Sequence, residues 1–132
     1  KLFTGIGYDD PIKIAETAEG LDIPKDAKIL DLVCGTGLVG VALKDKGYVN
    51  IEGIDASPHM LEEAKKKDIY TSLDEMFLGS PDTFPEKYRG QYDLVTAGGA
   101  FARGHLGPEL IDEMVLSLKP GGYAIFIIRE FQ

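Results

Sequence analysis

Short apolar runs alternate along this chain with stretches of helical periodicity. Ile14, Ala15, Ala18 and Leu21 form one apolar face between Asp10-Pro11, a cap followed by proline at the first helical position, and Gly20, a stop. Pro24-Lys25-Asp26 is a turn, and the run within Lys28–Val33 has the length of a buried strand. Leu38–Lys46 is helical and ends at Gly47, and Asn50–Asp55 is a second strand. Ser57-Pro58 caps a further helix whose inner face is Met60, Leu61 and Ala64. Ile69–Leu78 follows neither period cleanly, yet the order of elements needs a third strand there. Gly79–Gly90, rich in Pro, Gly and charge, predicts a loop with one helical turn, and Tyr92–Ala97 predicts a fourth strand. Pro108–Leu118 places Leu110, Ile111, Met114, Val115 and Leu118 on one helical face. Lys119-Pro120-Gly121-Gly122 breaks it, and Tyr123–Ile128 is the fifth strand. Strands without alternation, separated by helices, predict an α/β fold: a doubly wound, mostly parallel sheet with helices on both faces. One domain is expected over 1–132, an N-terminal helical segment of about 1–26 followed by a core of about 27–132.

Composition narrows the functions open to such a domain. Fourteen Lys and Arg against 22 Asp and Glu give a net charge of −8, which argues against a nucleic-acid surface. The one basic cluster, Lys65-Lys66-Lys67, closes a helix and predicts the i,i+4 pairs Glu62–Lys66 and Glu63–Lys67. No apolar run approaches the ~20 residues of a membrane span. The single cysteine excludes an internal disulfide and a cysteine-based zinc site, fits a reducing compartment and leads to an expected cytoplasmic location.

The chemistry concentrates at two strand ends. Asp31 interrupts an otherwise apolar strand, Gly35 and Gly37 follow it, and Asp55 ends the neighbouring strand, so two acids flank a nucleoside-sized gap. Glycine suits that turn because a side chain would hold the backbone away from a ligand. Gly35, Gly37 and Gly40 also spell G-x-G-x-x-G, with Asp55 twenty positions beyond Gly35, as in a dinucleotide site. Gly40 reads as a helix–sheet packing residue, so Gly40→Ala is expected to keep most ligand binding, whereas Gly37→Val is expected to lose it. Against a dinucleotide stands Asp31, which would repel a pyrophosphate and suits a cationic amine. An acid in the position of Asp55 can accept both ribose hydroxyls, and the helix after it brings Met60 to the adenine face.

Asp31-x-x-Cys34-Gly35-Thr36-Gly37, Asp55-x-Ser57-x-x-Met60-Leu61, Tyr92-Asp93-Leu94-Val95 and Leu118-Lys119-Pro120-Gly121-Gly122, in that order, resemble the class I S-adenosylmethionine-dependent methyltransferases. Within that family the Cys34–Val39 run, Gly53-Ile54-Asp55-x-Ser57 and Tyr70…Leu78-Gly79 are similar to the methyltransferase-like proteins of the Williams–Beuren region type. The resemblance implies a Rossmann-like fold that lacks the family's last two strands, and S-adenosylmethionine as cofactor with S-adenosylhomocysteine as product. It implies that the turn of Gly35, Thr36 and Gly37 carries the methionine part, with Asp31 near its amine. Asp55 would hold the ribose, Ala56 and Met60 would wall the adenine, Leu78 and Gly79 would face its edge, and Ala97 and Gly98 would lie beneath the sulfonium. An acid often found near the adenine edge would here be Asp82, and an aromatic often folded over the cofactor would be Tyr8.

The remaining candidates are weaker. Cys34 reads as a turn filler, His59 as a solvated surface residue and Asp93 as structural. His105, in the loop after the fourth strand, is the one candidate general base, and Phe101 and Arg103 in that loop read as packing residues. Ala97-Gly98-Gly99-Ala100 lacks the signature that grips an exocyclic base amine, and no acid set suggests a metal. The expected acceptor is a small molecule, with a protein side chain left open, and the expected reaction is an in-line displacement. The alternatives are a non-catalytic S-adenosylmethionine-binding partner module and an NAD enzyme. Because the chain stops after the fifth strand, it is expected to be a fragment; otherwise that very apolar strand would be an exposed edge.

Overall fold

A computed structural model describes residues 2–5, 10–97 and 108–127, and the side chains of 11–97 and 108–126 within them. The elements are β1 (Leu2–Gly5), α1 (Asp10–Gly20), β2 (Ile29–Leu32), α2 (Leu38–Asp45), β3 (Ile51–Asp55), α3 (Pro58–Lys66), β4 (Ser72–Glu75), β5 (Tyr92–Ala97), α4 (Pro108–Ser117) and β6 (Leu118–Ile127). The strands form one sheet in the order β1-β6-β5-β2-β3-β4, and every pairing is parallel. Chain order reverses between β2 and β5, the switch point where open α/β sheets form their ligand crevice at the carboxyl ends of the strands.

Alternation along the strands feeds two separate cores. Ile29, Ile51, Leu94 and Ile125 face Ile14, Ala15, Ala18, Val39 and Leu43 of α1 and α2. Leu30, Leu32, Ile54, Val95, Ala124 and Phe126 face the other way, against Leu110 and Met114 of α4 with Phe84, Tyr88 and Tyr92. Both faces of the central strands are buried, which is why they read as apolar runs. Asp31 and Thr96 share the face of Ile29 and Leu94, and both are fully buried.

Four details differ from the sequence expectation. The N-terminal segment contains a strand as well as a helix: Leu2–Gly5 pairs with Ala124–Ile127, so β6 is not the exposed edge. The pattern of Leu2-Phe3-Thr4-Gly5 is too short to announce a strand alone, and pairing supplies it. The Lys119–Gly122 breaker, expected between the helix and the last strand, lies inside β6 as a bulge, since Tyr92 pairs with Leu118 and Leu94 with Tyr123. Gly121, at φ +83, provides the corner. The Gly79–Gly90 loop holds two 3₁₀ turns, Pro81–Thr83 and Glu86–Tyr88, rather than one helical turn. The charge pattern of α3 also resolves differently: Glu63 pairs with Lys66 at 3.2 Å, while Lys67 donates to the Thr36 carbonyl at 2.6 Å. Lys67 thus fastens the glycine turn.

Candidate cofactor site

The β2–α2 turn leaves the sheet in left-handed steps. Val33 (φ +54), Gly35 (φ +57) and Gly37 (φ +96) all have positive φ. For a β-branched residue such as Val33 that conformation is rare and costs about 1–3 kcal/mol, the kind of strain that persists where surroundings over-determine a turn. The surroundings here are explicit. Cys34 N donates to Ile54 O at 2.9 Å, Gly35 N to Asp55 Oδ2 at 2.8 Å, and Gly37 N to Cys34 O at 3.0 Å.

Asp55 ties this turn to the next. Its second oxygen, Oδ1, accepts from Ser57 N at 2.9 Å, and Ser57 in turn caps α3 by accepting from Met60 N at 3.2 Å. The carboxylate is 3% exposed, with one backbone N–H on each oxygen. Each oxygen keeps further lone-pair capacity, so the group can still accept two hydroxyls of a ligand. Ala56 and Met60 follow it and are half-buried.

Asp31 is held more deeply. Its Oδ2 accepts from the Tyr70 hydroxyl at 2.7 Å and its Oδ1 from the Thr96 hydroxyl at 3.0 Å. Burial pushes its carboxyl up to about 7, opposed by the Tyr70 and Thr96 hydrogen bonds and reinforced by the Asp55 charge. Burial also raises the Cys34 thiol well above the usual range, which disfavours the thiolate.

Leu78 and Gly79 leave β4 under the control of a residue that sequence reasoning missed. Glu113 of α4, 1% exposed, accepts from Gly79 N at 2.6 Å through Oε1 and from Ser80 N at 3.3 Å through Oε2. Burial raises its carboxyl above the usual carboxylate range. The available signal was a single acid on the buried side of a helix, between Leu110 and Met114. Tyr70 and Thr96 were missed as well, because neither bond to Asp31 is local in sequence. Ala97 is buried at the end of β5, and Thr36 sits half-buried in the glycine turn. Asp82 is exposed on the first 3₁₀ turn, and His59 is exposed on α3. Asp93 lies at the opposite end of β5, where it accepts from Lys28 N at 2.9 Å and faces Lys119 at 3.5 Å. Gly98, Phe101, Arg103, His105 and Tyr8 lie outside the described residues.

Two buried carboxylates, Asp31 within β2 and Asp55 at the end of the adjacent β3, are thus joined through the positive-φ turn that follows β2. Residues 29–122 match the family described as "Methyltransferase domain". The chain belongs to this methyltransferase family. It is 38% identical over 107 residues to human methyltransferase-like protein 27, an alignment covering 80% of this chain and 42% of that protein. It is 31% identical over 112 residues to the demethylmenaquinone methyltransferase of Bacillus licheniformis, covering 83% and 48%. The glycopeptide N-methyltransferase MtfA, solved in complex with S-adenosyl-L-methionine, superposes with a TM-score of 0.67 at 17% identity, covering 90% of this chain and 55% of that one. The last likeness concerns the fold. The methyltransferase chain spans less than half the length of these curated relatives. Among its described residues, no helix is long and apolar enough to cross a membrane.

Proposed function

We propose that this chain forms the cofactor-binding part of an S-adenosylmethionine-dependent methyltransferase acting on a small-molecule acceptor. The observation that carries the proposal is the placement of Asp55. Its carboxylate is pinned by Gly35 N and Ser57 N beside the left-handed turn and retains lone pairs for a ribose diol. The residues fit the cofactor in their chemistry too. Asp31 is acidic, which suits a cationic amine and would repel a pyrophosphate, and Asp55 suits a ribose diol. When bound, S-adenosylmethionine would supply an activated methyl group: an acceptor lone pair attacks the methyl carbon in line as the C–S electron pair returns to sulfur, and S-adenosylhomocysteine leaves.

The chain's own part is positioning. Asp55 fixes the nucleoside end, Gly35, Thr36 and Gly37 accommodate the methionine part, and Asp31 sets the charge beneath its amine. Ala56 and Met60 wall the base, Leu78 and Gly79 border its edge, and Ala97 closes the floor. Such alignment can contribute much of a displacement barrier, so no covalent enzyme intermediate is required. A small-molecule acceptor is supported by the kinship with a demethylmenaquinone methyltransferase. His105 is the proposed base where the acceptor must lose a proton.

A tritium-labelled methyl transfer assay on the full-length protein, with quinol, phenol and amine acceptors, tests this. Label on any of these acceptors is the expected result. Cofactor binding without transfer to any would favour the partner-module reading.

A further inference from the structure

Gly37, Gly40 and Gly53 share a property that their sequence spacing does not reveal. A Cβ on Gly37 would lie 3.1 Å from Tyr70 Cε2, one on Gly53 2.9 Å from Tyr70 Cε1, and one on Gly40 2.6 Å from both Tyr70 Cζ and its hydroxyl oxygen. These glycines, drawn from the β2–α2 turn, from α2 and from β3, form a slot that the phenol ring occupies. The ring enters from the segment before β4 and delivers its hydroxyl to Asp31 Oδ2 at 2.7 Å. Part of what looks like a nucleotide-binding glycine pattern therefore serves a tyrosine.

We infer that Tyr70 is a positioning residue for cofactor binding: slotted over Gly37, Gly40 and Gly53, its hydroxyl works with Thr96 to fix and stabilise the Asp31 carboxylate that faces the cofactor's amine. This rests on the cofactor reading given above. Two donated hydrogen bonds favour the charged form of a carboxylate that burial disfavours. Of the other groups facing Asp31, Asp55 opposes ionisation and Cys34 stays a neutral thiol. The buried residues that α1 and α2 turn to this side of the sheet include Ile14, Ala15, Ala18, Val39, Gly40 and Leu43, none of them titratable. No described cation offsets the loss of a donor. Without the phenol hydroxyl, Asp31 stays protonated to higher pH, and a protonated Asp31 cannot attract an ammonium group.

The test is calorimetric titration of S-adenosylhomocysteine into full-length wild type, Tyr70→Phe, Thr96→Val and Asp31→Asn between about pH 6 and 8.5. Phenylalanine keeps the ring in its slot. The expected Tyr70→Phe result is binding weaker by roughly tenfold at the acid end and within about threefold at the alkaline end, as the midpoint rises by about one unit. Thr96→Val must move the midpoint in the same direction. A direct readout is the Asp31 carboxyl resonance in the ligand-free protein, which must titrate at higher pH in Tyr70→Phe. An affinity profile for Tyr70→Phe that matches wild type, or that is lowered equally at every pH, would overturn the inference and leave Tyr70 a packing residue. If Asp31→Asn binds with wild-type affinity and pH dependence, the placement of the amine at Asp31 is itself wrong, and the inference falls with it.

Discussion

Replacing Gly40 with alanine would, on helix propensity alone, stabilise α2 by about 1 kcal/mol. The structure reverses that sign. The new methyl group would lie 2.6 Å from Ile69 Cδ1 and from the Cζ and hydroxyl oxygen of Tyr70. The isoleucine methyl can rotate away. The phenol cannot, because its ring also packs on Gly37 and Gly53 and its hydroxyl is bonded to Asp31. Restoring ordinary contact requires a ring shift on the order of 1 Å, enough to break that bond. A hydrogen bond to a charged acceptor contributes about 1.5–3 kcal/mol, and overpacking costs about 1–3 kcal/mol. After the propensity gain the net loss is about 1.5–5 kcal/mol. Urea denaturation of Gly40→Ala, alone and in a Tyr70→Ala background, measures it as a double-mutant cycle. With the ring gone, Gly40→Ala should be neutral or stabilising. A stabilised single mutant, or a cost that persists without Tyr70, would refute this reasoning. The same contact bears on the sequence expectation that Gly40→Ala keeps most ligand binding, because the displaced ring is the one bonded to Asp31.

Two further outcomes follow from the carboxylates. Asp31 has a carboxyl pushed up to about 7, so the folded state binds its proton more tightly than the unfolded chain; its contribution to stability is greatest below pH ~4 and is lost as pH rises towards 7. Asp31→Asn should therefore raise the urea midpoint near pH 8 and flatten its pH dependence while weakening cofactor binding; an unchanged pH slope would contradict this. Asp55→Ala should weaken S-adenosylhomocysteine binding at least tenfold and also lower the melting temperature, because Gly35 N and Ser57 N lose a charged acceptor. Near-native affinity would mean that the ribose is held elsewhere.

The parallel sheet was readable because its central strands are buried on both faces and their apolar runs are bounded by glycine and proline, whereas β4, partly exposed, follows neither period. The strand ends carrying Asp31 and Asp55 were readable for a related reason: an acid in an apolar run needs a partner, and glycines beside it mark a turn. What escaped was long-range. Tyr70 finds Asp31 across 39 positions, Thr96 finds it across 65, and Glu113 reaches Gly79 across 34. None of these pairs leaves a periodic trace. The short β1 escaped because four residues carry too little pattern, and its place is set by pairing with β6.

The central claim is that the crevice between Asp31 and Asp55 takes an adenosyl sulfonium nucleoside and not a dinucleotide. Calorimetric titration of the full-length protein with S-adenosylhomocysteine and, separately, with NAD tests it most directly. The expected result is saturable one-to-one binding of S-adenosylhomocysteine, lost in Asp55→Ala, with no measurable heat from NAD. Equal or tighter binding of NAD would contradict the assignment.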